Sequence, residues 1–157
     1  MIQGNSKTEL RELTKDNLKQ CFELKVSKDQ MKYIASNEDS LKDAENNADV
    51  ARPFAIYHEG KMVGFAMFAF DDLYEDPLDR YWLWRFMIDA DHQGKGIGSE
   101  ALRTIIRYFK DNGANNIRLS TKEENIKALN LYKRAGFYET GEMNDEEIVL
   151  QLDLQIL

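Results

Sequence analysis

Apolar residues along this chain of 157 residues follow two rhythms that alternate from one end to the other. Glu9-Leu10-Arg11-Glu12-Leu13 reads as a first strand, after which Thr14 can cap a helix through Leu18, Cys21, Phe22 and Val26. A short helix is predicted over Gln30 to Ala35, and Asn37 or Ser40 can cap a further stretch through Leu41 and Ala44. Pro53 to Tyr57 and Met62 to Phe70 then form a hairpin around His58-Glu59-Gly60-Lys61. Tyr81 to Ile88, a run of aromatic and branched residues, reads as a buried strand. Ala101, Leu102, Ile105, Ile106 and Phe109 recur at helical spacing in a helix that stops at Asn112-Gly113. Asn116 to Ser120 is the next strand and Glu123 to Ala135 the next helix, closed by Gly136. Phe137 to Thr140 and Ile148 to Leu154 complete the chain as antiparallel strands around an Asn144-Asp145 turn. The order is strand, two helices, three strands, helix, strand, helix, two strands: an α/β chain with a mixed sheet. It contains no internal repeat and no low-complexity linker.

Length and composition sharpen this picture. A chain of 157 residues with 43% hydrophobic residues fits one globular domain over 1–157 with its own core. Met1 to Thr8 is polar, and no later segment is apolar for long enough to span a bilayer, so a cytoplasmic protein is expected. Cys21, the only cysteine, excludes an intrachain disulfide and reads as core filler beside Leu18 and Phe22. The net charge of −7 argues against a nucleic-acid partner and permits a cationic substrate. No set of residues suggests a metal site. Oligomeric state is open, a homodimer included.

The strongest chemical signal lies between the buried strand and the helix after it, in Gln93-Gly94-Lys95-Gly96-Ile97-Gly98-Ser99. Glycines at alternate positions let the backbone turn tightly and leave amide N–H groups uncovered at a helix start, an arrangement that binds phosphate or pyrophosphate. A nucleotide-triphosphate loop fails on spacing, because Lys95 stands between glycines with no Ser or Thr in the required place. A dinucleotide fingerprint would want glycine where Ser99 stands. An anion cradle and a plain strand-to-helix turn are the two readings left by the residues alone.

Resemblance separates them. Gln93 to Gly98 is similar to the acetyl-CoA pyrophosphate loop of GNAT-type N-acetyltransferases, without gaps. Asn125 and Asn130-Leu131-Tyr132-Lys133-Arg134-Ala135-Gly136-Phe137 resemble that family's second motif at the expected distance. The likeness, which runs from Glu9 to Leu154, implies the GNAT fold, a mixed sheet splayed midway to admit acetyl-CoA. It implies cofactor contacts from Phe86, Met87 and Ile88, from Gln93, Gly94, Lys95, Gly96, Ile97, Gly98 and Ser99, and from Asn125, Ala128 and Tyr132. It also makes Tyr132 the proton donor to the departing thiolate, where the residues alone allow a packed core tyrosine. Trp84-Arg85-Phe86-Met87-Ile88-Asp89 and Tyr33-Ile34-Ala35-Ser36-Asn37 are similar to the polyamine-acetylating branch.

Such a likeness implies a small-molecule amine acceptor, first a polyamine, with direct transfer in a ternary complex. Acetylation of protein N-termini or another small amine, or a non-catalytic acyl-CoA-binding module, are the other readings. Asp71, Asp72, Glu75, Asp76 and Asp79 lie in one loop without a basic residue, either as a solvated turn or as a wall for a cation. Asp72, Glu75 and Asp76, with Glu38 from the preceding helical region, are the candidate acceptor-binding residues. The base is not apparent, because Trp84 stands where some polyamine acetylases carry a glutamate. The acids of 71–79 and waters held by Tyr57 and Tyr81 are the alternatives. His58 and His92 read as surface residues.

Overall fold

The computed structural model describes residues 7–31 and 36–154. Its elements are β1 (Thr8–Glu12), α1 (Leu18–Glu23), α2 (Asn37–Asn46), β2 (Ala51–His58), β3 (Lys61–Phe70), β4 (Tyr81–Ile88), α3 (Ile97–Asp111), β5 (Asn116–Thr121), α4 (Ile126–Arg134), β6 (Tyr138–Asn144) and β7 (Glu147–Asp153). The seven strands form one mixed sheet in the order β1-β2-β3-β4-β5-β7-β6. The expected fold class and element order hold.

Alternation along β3 explains why both faces of the sheet are covered. Ala66, Phe68 and Phe70 point into one core with Ala101, Leu102, Ile105 and Phe109 of α3 and Leu129 of α4. Phe65 and Met67 point into the other, with Cys21 of α1, Ala44 of α2 and Met87 of β4. Phe54, Phe68, Phe70, Tyr108 and Phe109 interlock in the first core, with ring centroids about 5 Å apart in several pairs, such as Phe68 and Phe109 at 4.8 Å. Each large side chain buried in this way contributes roughly 1.5–3 kcal/mol.

The structure corrects several local expectations before β2. The Thr14 side chain does not cap α1: its hydroxyl accepts from the Asp16 amide, and residues 15–17 form a turn before the helix begins. Helix α1 ends at Glu23, so Val26 lies beyond it, and Phe22 is exposed. Gln30 and Met31 sit in a turn, and the rest of the short helix expected there lies outside the described residues. Ser36 caps α2, its Oγ accepting from the Asp39 amide at 3.1 Å. Cys21 is core as expected, fully buried, and burial pushes its thiol up to about 11. His58 is not a surface residue: it is largely buried, hydrogen-bonded to Thr8 and adjacent to Glu100, which ties β1 and β2 to the first turn of α3.

At Gly64 β3 and β4 approach tightly, since a Cβ there would collide with the Met87 carbonyl oxygen. Gly64→Ala is therefore expected to lower unfolding free energy by about 1–3 kcal/mol in urea titrations. A variant as stable as the parent would show that the two strands can separate at this point.

Candidate active site

Strands β4 and β5 run parallel but register at a single pair, Trp82 with Arg118. Beyond it they part, and a cavity of about 850 Å³ opens between Leu83–Ile88 on one side and Leu119–Thr121 on the other. Two local features produce the parting. On the β3 side, Met67 faces Arg85 and Phe68 faces Leu83, so Trp84 is an extra residue and β4 carries a bulge that bends it. On the β5 side, the nearly buried Arg118 donates to Gln151 at 2.8 Å, Asp79 at 3.1 Å and Glu142 at 2.8 Å. Burial works against the Arg118 charge, but Glu142 and Asp79 outweigh it and hold the guanidinium above its ordinary pKa. A three-residue irregularity in β6, Thr140 to Glu142 opposite Val149, brings Glu142 within reach.

At the far end of β4 the glycine loop does what its composition predicts. Gly94 and Gly96 both take φ +78°, which favours glycine, and Gly96 opens α3 with no side chain capping the helix. The first helical bond runs from the Glu100 amide to the Gly96 carbonyl, so the amides of Ile97, Gly98 and Ser99 have no acceptor within the helix. Together with the dipole of a helix of 15 residues they form an arrangement that can hold an anion, beside the cavity. Gln93 braces this loop: its side chain donates to the Ile88 carbonyl at 2.8 Å and accepts from Lys127 at 2.9 Å.

Helix α4 supplies the opposite wall. Asn125 is buried and caps it, accepting from the Ala128 amide at 3.4 Å, and Asn125, Ala128, Leu131 and Tyr132 recur at helical spacing along the cavity. The Tyr132 ring packs against Phe137 at 5.7 Å, and its hydroxyl has no hydrogen-bond partner among the described residues. Desolvation raises its pKa well above the ordinary phenol value, so the group carries its proton throughout the neutral range.

Eleven of the thirteen residues expected to meet the cofactor line this cavity: Phe86, Met87, Ile88, Gln93, Gly94, Gly96, Gly98, Ser99, Asn125, Ala128 and Tyr132. The Ile97 side chain turns into the core, and Lys95 is exposed and outside the cavity wall. None of Glu38, Asp72, Glu75 and Asp76 lines it. Asp72 accepts from the Tyr81 hydroxyl at 3.0 Å, and Asp76 accepts from the Leu78 amide at 3.0 Å. Neither Tyr57 nor Tyr81 reaches the wall. The carboxylates that do are Asp43 of α2 and Glu147 of β7, which sequence reasoning missed. Glu147 accepts from the Ser120 hydroxyl at 2.7 Å. Ser120 and Thr121 were open to inference once β5 was placed beside a splay; Asp43 carried no sequence signal.

A side chain at Gly96 would meet no neighbour within 4 Å, but the φ of +78° strains any residue other than glycine, so a substitution there costs some stability without a steric clash. Gly96→Asp is expected to fold with its stability lowered by about 1–2 kcal/mol, and to lose coenzyme A affinity by about a hundred-fold or more in calorimetry, its carboxylate standing beside the amides that would hold the pyrophosphate. Unchanged affinity in a folded variant would remove the loop from the site.

Comparison with known proteins agrees with this geometry. The Acetyltransferase (GNAT) family matches residues 11–137. The spermine/spermidine N(1)-acetyltransferase of Bacillus subtilis is 37% identical over 147 residues, covering 90% of this chain and 96% of that protein. Among solved structures, spermidine N-acetyltransferase from Vibrio cholerae in complex with CoA and spermine superposes with a TM-score of 0.70 at 22% identity, over 95% of this chain and 96% of that one. The ribosomal-protein-S18-alanine N-acetyltransferase from Escherichia coli has a TM-score of 0.69 at 21% identity, over 96% of both chains. A sheet split after one pair, an uncapped glycine-led helix at the end of the split and a matching family pattern lead to one conclusion: the chain belongs to the GNAT family of acetyltransferases, with acetyl-CoA as its co-substrate.

Proposed function

We propose that this acetyltransferase acts on a primary amine of a polyamine of the spermine and spermidine class, by direct transfer in a ternary complex. The observation that carries the reading is the near full-length 37% identity to the Bacillus subtilis spermine/spermidine enzyme. The charge distribution of the cavity supports it. Lys127 and Arg134 stand on the α4 wall, whereas Glu147 stands on β7 and Asp43 on α2, where it is paired with Arg85 at 3.0 Å. A recess of about 380 Å³ adjoins the cavity and shares Trp82, Trp84 and Asn144 with it; Asp71 and Arg80 line it, with Asp79 and Glu142, which are paired with Arg118. Glu147 and Asp71, which have no ion-pair partner among the described residues, together with the faces of Trp82 and Trp84 suit a flexible cation with several ammonium groups. Glu38, Asp72, Glu75 and Asp76 would then act by long-range attraction, as part of the net charge of −7.

Bound acetyl-CoA supplies an activated acetyl thioester. The chain's own groups divide the remaining tasks. The amides at the start of α3 hold the pyrophosphate, and the edge of β4 from Phe86 to Ile88, which no strand covers, offers main-chain groups to an amide-rich arm. Tyr132 gives its proton to the sulfur that leaves. The amine must lose a proton, since a primary amine has a pKa near ~10 and is almost wholly charged at neutral pH. Glu147, held by Ser120 on the strand facing Trp84 across the split, is the proposed acceptor of that proton, through water. It takes the role that Trp84 cannot.

Turnover of a panel of polyamines, monoamines, amino acids and peptides, followed by release of free thiol, tests the acceptor. Spermine or spermidine is expected to give the highest kcat/KM, and a peptide preferred over both would overturn the reading. Tyr132→Phe and Glu147→Gln are each expected to lower kcat by about a hundred-fold while keeping coenzyme A affinity within about two-fold. The sign of the Tyr132 shift sets the pH dependence. A phenol raised above its ordinary value of about 10 stays protonated below it, so no falling limb from this group is expected up to about pH 10. A falling limb below about pH 9 that disappears in Tyr132→Phe would contradict this role.

A further inference from the structure

Arg85 follows the β4 bulge and makes contacts that neither cofactor anchoring nor proton transfer uses. Its Nη1 donates to the main-chain carbonyl of Trp84, the extra residue of the bulge, at 3.0 Å. Its Nη2 donates to Asp43 Oδ2 of α2, also at 3.0 Å. Its Nε is buried and has no partner among the described residues. Arg85, Asp43, Trp84 and Asn47 all stand in the wall of the cavity that holds Tyr132.

Two parts of the wall thus meet at one guanidinium. A bulge leaves its extra residue outside the regular ladder, so the Trp84 carbonyl needs a donor from elsewhere, and Arg85 is that donor. Among the described residues, Asp43 carries the salt bridge that joins α2 to the sheet. The other polar ties from α2 in this direction come from Asn37 at its first turn, to the Cys21 carbonyl at 2.8 Å and the Met87 sulfur at 3.9 Å. Asn37 and Asp43 are six residues apart, so the helix is held at both of its ends and its orientation over the cavity depends on both.

We propose that the Arg85–Asp43 pair is a positioning element for the acceptor, setting α2 and the bulged Trp84 as one rigid wall on the amine's side of the cavity. The pair's hydrogen bonds join β4 to α2 and include neither the glycine loop nor α4, so the pair acts on acceptor binding and not on cofactor binding. The assignment rests on the reading of the cavity as the transfer site and does not depend on which amine is acetylated.

A double-mutant cycle tests it. Arg85→Gln and Asp43→Asn are each expected to raise the KM of the best acceptor by about five-fold, as for a half-buried ion pair, with coenzyme A affinity by calorimetry within about two-fold. The double variant should be no worse than the poorer single one, and Arg85→Lys should recover part of the loss. In the free protein, amide hydrogen exchange over α2 should accelerate in Arg85→Gln and Asp43→Asn alike. Additive effects on KM, unchanged exchange in α2, or an equal loss of coenzyme A affinity would overturn the proposal. A lower acceptor KM in Arg85→Gln would do so as well, making Arg85 a repulsive charge and Asp43 a direct anchor. Failure of the polyamine reading would appear separately, as absence of spermine turnover in the parent protein.

Discussion

The single registered pair between β4 and β5 is the constraint on which the site depends. Two parallel strands that separate after one pair leave main-chain donors and acceptors without partners, a state that proteins ordinarily avoid. The sheet tolerates it because Arg118 pins the closed end. Its guanidinium joins the turn before β4, the irregular part of β6 and the side of β7 into one unit. A buried ion pair of this kind is a poor source of net stability, since desolvation offsets much of the attraction. Its value here is positional. Strands that would otherwise zip together or drift apart are held at a definite opening.

Everything else in the cavity is arranged relative to that opening. The glycine loop begins where β4 ends and is tied back to it by Gln93, so the amide cluster at the start of α3 lies at one end of the split. Helix α4 follows β5 after a short turn and lays Asn125, Ala128 and Tyr132 along the gap. Lys127 and Arg134 stand on the side of α4 and Glu147 on the side of β7, while Asp43 of α2 is matched by Arg85 of β4.

Elements governed by local rhythm were legible in the sequence. The hairpin, the apolar face of α3 and the glycine loop all follow from periodicity and turn chemistry, and β5, α4 and the last two strands differ from expectation by only a few residues at their ends. What the sequence could not carry is what arises between distant segments. Trp84 becomes a bulge only because β3 pairs on both sides of it. The acidic loop after β3 looks like a binding wall, yet its Asp72 and Asp76 are engaged in organising the turn itself. Asp43 and Glu147, single acids in unremarkable stretches, reach the cavity because α2 folds over the sheet and β7 lies beside β5. Charge density along the chain was a worse guide to the site than the path of the strands.

The chain contains two tryptophans, and both belong to the place where the sheet divides. Trp82 and Trp84 stand in the wall shared by the cavity and its adjoining recess. All indole emission of the protein therefore originates in the wall of the candidate site, with no background from remote tryptophans. Any molecule that enters the split meets the chain's whole complement of indole rings, so the protein carries its optical reporter at the place where the sheet divides.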